Sequence, residues 1–150
     1  MGAGMPAARE AIERWLELLA RWSDKTDLTG ARTPDARAEV MVADAFVIAE
    51  MVAEGAVVLD VGAGAGGPGI PLALLREDLR LTLVEPRARR VAFLRTSIGS
   101  LGLVERVRVV AETIDPARPV LPREAFAPVD VAFARATFAP EVWLPLGLAL

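Results

Sequence analysis

Residues 6–22 carry Ile12, Trp15, Leu16, Leu19 and Trp22 at three- and four-residue spacing, with Arg9, Glu10, Glu13, Arg14, Glu17 and Arg21 between them. That period gathers the apolar side chains on one stripe and predicts an amphipathic helix with both tryptophans in the core. The polar run 23–27, followed by Gly30 and Pro34, breaks it. Helical spacing resumes over 35–53, with Val40, Ala43, Val47 and Met51 as the apolar row, and Gly55 is placed to end that helix. The period then changes. Residues 56–61 are short, β-branched and nearly uninterrupted, as in a strand buried on both faces of a parallel sheet. A glycine-rich turn from Gly62 to Gly69 leads into a helix opening at Ile70. A second strand is expected over 79–85, an arginine-rich helix over 87–101 and a third strand over 107–111. A proline-rich loop precedes a fourth strand over 129–134, and 140–150 reads as the start of another helix.

Strands alternating with helices predict an α/β fold, a doubly wound sheet with right-handed crossovers. We expect one domain over 1–150, with N-terminal helices over 5–54 and an α/β core over 55–150. A fourth strand left as a bare edge, and the apolar run 142–150 with no strand after it, lead to the expectation that C-terminal strands are missing.

Composition narrows the chemistry. The 150 residues include no cysteine and no histidine, which excludes disulfides, thiol nucleophiles, histidine triads and Cys/His metal sites. Asp44, Glu50, Glu54 and Asp60 interrupt the most apolar stretch before it reaches membrane-spanning length, and residues 1–6 lack the start of a signal peptide. The expectation is a cytoplasmic domain with no membrane or metal partner. Net charge is −3, yet every basic residue except Lys25 is arginine, and four cluster at Arg87, Arg89, Arg90 and Arg95. Such enrichment fits a GC-rich genome as well as it fits a binding surface.

The sharpest chemical signal is the run from Asp60 to Gly69. Glycine is needed where a tight turn takes positive φ or where backbone must approach a ligand. Gly62, Gly64 and Gly67 satisfy G-x-G-x-x-G, and Glu85 ends the next strand, where it would accept from ribose hydroxyls. Two ligands compete, a nicotinamide dinucleotide and S-adenosylmethionine. Pro68–Gly69 would delay the helix whose N-terminus faces a pyrophosphate, whereas Asp60, two residues before Gly62, gives the D-x-G-x-G opening common at S-adenosylmethionine sites. Asp60 reads alternatively as a structural cap of the turn.

The stretch 60–72 resembles the signature of the glucose-inhibited division protein B family, class I S-adenosylmethionine-dependent methyltransferases that modify guanine N7 of 16S ribosomal RNA. Trp22–Thr29 resembles the family's W-N-x-x-x-N-L-T segment, 89–95 its K-R-x-x-F-L helix, and Ala134–Arg135–Ala136 its S-R-A turn. The resemblance runs over most of residues 10–147. It implies a Rossmann-like class I methyltransferase fold with an N-terminal helical extension. It also implies S-adenosyl-L-methionine as cofactor, and ribosomal RNA or the small ribosomal subunit as partner. Carried over, Gly62, Gly64 and Gly67 would line the methionine and ribose, Glu85 would hold the ribose, Ile114 and Asp115 would contact adenine, and Arg135 would lie near the transferred methyl. The alternatives are a plain loop for Ile114–Asp115 and a surface salt bridge for Arg135. Guanine N7 has a free lone pair, so no general base is expected and no catalytic residue is named. The chain departs from the family where Val40–Met41 replaces an Arg-His pair, Asp27 an asparagine and Thr113 an arginine, leaving Asp44 from the Arg-His motif.

Overall fold

The computed structural model describes residues 4–150; residues 1–3, counted in the expected domain, lie outside the described residues. Two helices come first, α1 (Gly4–Ser23) and α2 (Pro34–Met51). An alternating core follows: β1 (Val57–Val61), α3 (Gly69–Leu75), β2 (Arg80–Val84), α4 (Ala88–Ser100), β3 (Val107–Val110), β4 (Val131–Phe133) and α5 (Pro140–Ala149). All expected elements are present, most with ends shifted by a residue or two. The strands are parallel in the order β3-β2-β1-β4. The chain steps outward from β1 to β3 and then returns to the other side of β1. The loops leaving β1 and β4 therefore diverge and open a crevice at the carboxyl end of the sheet.

Alternation along β1 decides what reaches each face. Val58 joins α1–α4 in the larger core, with Trp15, Leu19, Met41, Ile70, Leu83 and Phe93. Leu59 and Val61 point the other way, to a smaller core with Val84, Ile114 and Leu146. Trp15 is fully buried as expected, but Trp22 is only half-buried and meets the Phe93 ring edge-on at 5.5 Å. Two arginines serve the frame. Arg76 donates to the carbonyls of Ala49 (2.7 Å) and Val52 (3.1 Å) at the end of α2 and pairs with Asp78 at 2.7 Å. Arg106 donates to Ala73 O at the end of α3 (2.6 Å). Both satisfy helix C-terminal carbonyls with charge of the favourable sign.

The second helix corrects the sequence reading. Thr33 caps it, its Oγ1 accepting from the Ala36 N–H at 3.2 Å. The buried residues are Met41, Val42 and Ala45, while Val40, Ala43, Val47 and Met51 are exposed. Apolar residues surround this helix, so the spacing picked out a row that tertiary packing turns outward. The helix ends with Val52 in an extended conformation, and Gly55 (φ +71°) belongs to the turn after it. Among the described residues, no helix is long and apolar enough to cross a membrane.

Candidate functional site

Two cavities open beside the carboxyl ends of the strands, and both are lined by Gly62 and Thr137. The first, about 340 Å³, has walls from Leu28–Gly30, Val40, Met41, the 62–65 turn, Gly67, Arg90 and Arg135. The second, about 320 Å³, lies between Val61, Val84 and Pro86 and the segment 112–116. Gly62 (φ +76°) and Gly64 (φ +59°) adopt backbone that side chains disfavour. Their surroundings differ. A Cβ on Gly64 would meet nothing closer than the Arg90 guanidinium at 3.9 Å, so its face stands open to the first cavity. A Cβ on Gly62 would collide with the Thr137 side chain. Gly67 lines the first cavity but is needed for packing, because a Cβ there would lie 2.7 Å from Met41 backbone atoms.

Glu85 is buried and turned into the loops. One oxygen accepts from the Gly64 N–H and the other from the Arg87 N–H, each at 2.9 Å. The Arg90 guanidinium stands 3.9 Å away. A carboxylate offers about four acceptor positions, and two of those on Glu85 hold the glycine turn and the start of α4.

Asp60 lines neither cavity. Two-residue alternation sets it on the Val58 face of β1, where it is 2% exposed beneath the start of α3. A Cβ on Gly69 would come within 2.6 Å of its Oδ2, and that oxygen has no hydrogen-bond partner. Burial pushes the carboxyl up to about 8 despite the lowering effects of Arg135 and the Gly69 backbone, and Glu85 adds to the rise. Burial thus favours the neutral acid, and Asp60 sits beneath the glycine turn.

Ile114 and Asp115 both line the second cavity. Ile114 is buried, and Asp115 accepts from the Ala117 N–H at 2.9 Å in its own turn. Arg135 lines the first cavity and also forms a salt bridge. It donates to Val40 O and lies 3.5 Å from Asp44 Oδ2, which ties the end of β4 to α2. The site thus brings together Gly62, Gly64, Gly67, Ile114, Asp115 and Arg135, leaves Glu85 behind the turn and sets Asp60 beneath it. Sequence reasoning missed Thr137 and the wall from Leu28, Thr29 and Met41, and it had Arg90 only as a member of the arginine cluster. The 22–29 segment and the replaced pair at 40–41 were the available signals for that wall.

The family model GidB, rRNA small subunit methyltransferase G, matches residues 8–143. A ribosomal RNA small subunit methyltransferase G of Anaeromyxobacter dehalogenans is 40% identical over 149 residues, covering 96% of this chain and 66% of that protein. Its namesake in Streptomyces coelicolor is 45% identical over 123 residues, covering 82% of this chain and 49% of that protein. The chain therefore spans about two thirds or less of the length of these relatives. Among solved structures, an S-adenosyl-L-methionine-dependent methyltransferase of Methanococcus maripaludis superposes with a TM-score of 0.51 at 19% identity, covering 72% of this chain and 49% of that one. That likeness shows the fold, a parallel sheet flanked by helices. The family match decides against the nicotinamide reading of the glycine turn, and the chain belongs to the rRNA small subunit methyltransferase G family.

Proposed function

We propose that this chain is the S-adenosyl-L-methionine-binding part of a methyltransferase acting in the cytoplasm on guanine N7 of 16S ribosomal RNA. The observation that carries the reading is the pair of cavities meeting at Gly62, at the point where the loops after β1 and β4 diverge. The residues fit an elongated ligand with a nucleoside at one end and an amino acid at the other. The second cavity is mainly apolar, with Ile114 and Val84 for a flat base and Asp115 at its edge. The first has the open backbone of Gly64 and the guanidinium groups of Arg90 and Arg135, suited to a carboxylate. The bound cofactor would supply an electrophilic methyl group on a sulfonium centre.

The chain's own residues then have three tasks. Glu85 fixes the glycine turn through the Gly64 N–H and keeps acceptor positions for ribose hydroxyls. Arg135, anchored to α2, holds the end of β4 against the first cavity. The exposed Arg87, Arg89 and Arg95 on and before α4 offer positive charge to an RNA backbone. Guanine N7 attacks through its lone pair, so no proton leaves before transfer and no base is required. Alignment of the reacting atoms contributes about 7–11 kcal/mol when near-attack geometry is enforced.

The test is methyl transfer from labelled S-adenosylmethionine to small ribosomal subunits lacking this modification. Label at guanine N7 supports the proposal, and cofactor binding without transfer counts against it. One observation favours a second reading, a cofactor-binding domain without an rRNA acceptor. Val40 and Met41, apolar where the family is expected to carry Arg-His, form part of the first cavity's wall.

A further inference from the structure

We propose that Thr137 sets the ligand affinity of the cleft by occupying the passage between its two cavities. The proposal rests on the cofactor reading above, and four observations carry it. Thr137 lines both cavities, and Gly62 is the other residue they share. The space over Gly62, where an elongated ligand must cross from one cavity to the other, is filled by the Thr137 side chain. A single added Cβ on that glycine would collide with it. The Thr137 hydroxyl has two carbonyl acceptors within reach, Val61 O at 3.4 Å and Arg135 O at 3.2 Å, both at the long end for a hydroxyl. The residue is itself exposed, so its side chain can swing into solvent without disturbing the core.

The backbone around it is held more firmly than the side chain. On one side Arg135 is tied to Val40 O and Asp44. On the other, Phe138 stacks on Trp143 with centroids 6.0 Å apart and planes 10° from parallel. Ala136 between them has φ +55°, the left-handed region that a residue with a Cβ enters only when its neighbours hold it there. The moving part is then the Thr137 rotamer. A nucleoside filling only the cavity beside Ile114 meets Thr137 at that cavity's edge and does not need the passage cleared, whereas a ligand spanning both cavities binds the fraction of molecules in which the passage is clear. Apparent affinity for the long ligand is reduced by that fraction.

The experiment is calorimetric titration of the full chain, as wild type, Thr137→Ala and Thr137→Val, with S-adenosylhomocysteine and separately with adenosine. Thr137→Ala clears the passage and is expected to bind S-adenosylhomocysteine roughly threefold to tenfold tighter than wild type. Adenosine affinity should stay within about twofold. Thr137→Val keeps the obstructing bulk without the hydroxyl and should bind the long ligand like wild type. Equal affinity of wild type and Thr137→Ala for S-adenosylhomocysteine overturns the proposal, and so does a parallel tightening of adenosine. If no variant and no wild-type sample binds S-adenosylhomocysteine, the cofactor reading itself fails. That outcome differs from a wild type that binds and an alanine variant that binds no better.

Discussion

The β1–glycine turn and the second helix lie against each other through Gly67 and Met41, yet they yield differently to reading. Along β1 the side-chain period is two and both faces are buried, so each residue's neighbours follow from its parity. Val58 and Asp60 face α3, whereas Leu59 and Val61 face the smaller core. On α2, apolar residues occupy almost every direction around the axis. Two candidate rows then exist, and only the neighbouring structure selects between them. The lesson is that apolar content predicts a helix, but the inward face needs a polar row opposite it.

Substitutions along α2 give the largest expected effect. Ala45 has no exposed surface, and Ala45→Glu would bury an unpaired carboxylate among apolar neighbours. The expected loss is about 3–5 kcal/mol, or failure to fold, measured by urea denaturation. The outward row supplies the contrast: Val47, 60% exposed, should accept Val47→Glu within about 0.5 kcal/mol. Equal losses at the two positions would reject the orientation of this helix.

Next in size is Glu85→Ala. From the sequence, Glu85 reads as a ligand contact for the ribose. The structure sets two backbone N–H groups on it, and each would be left without a partner at a cost of about 1–3 kcal/mol. Apo stability and S-adenosylhomocysteine affinity should both fall. An unchanged melting temperature would show that the two N–H groups find other partners.

Asp60 gives a smaller, pH-dependent effect. Its folded-state value of about 8 lies above the ordinary 3.8. The folded protein therefore holds the proton while the unfolded chain releases it between those values, and stability declines as pH rises through that window. Well below pH 3.8 the residue adds no pH dependence, because both states are then protonated. The slope is at most about 1.4 kcal/mol per pH unit. Asp60→Asn keeps the neutral shape, so its stability should fall less between pH 5 and pH 8 than that of wild type. Parallel curves for the two proteins would mean that Asp60 is ionised in the fold.

Much of the fold was legible, because the glycine turn, the buried strands and the strand–helix alternation are local signals. The site was legible in part. Gly62 and Gly64 announce positive φ, and Ile114, Asp115 and Arg135 follow strand ends, where an α/β sheet puts its ligands. Asp60 lies off both cavities, on the α3 side to which the parity of β1 already assigns it, whereas the motif read as a string set it among the ligand contacts. Thr137 carried no signal of its own, and Arg90 only that of the arginine cluster. Their places depend on how the loop after β4 and the first turns of α4 fold back over Gly62 and Gly64, which no local pattern encodes.

The most direct measurement is the calorimetric affinity of Gly64→Val for S-adenosylhomocysteine beside that of wild type. Gly64 combines φ +59° with open space on the side of the first cavity, so a valine there projects into the cleft instead of into the core. The expected result is a folded variant, judged by circular dichroism, that has lost detectable binding while wild type binds. Unchanged affinity in a folded Gly64→Val protein would contradict the placement of the cofactor across the glycine turn.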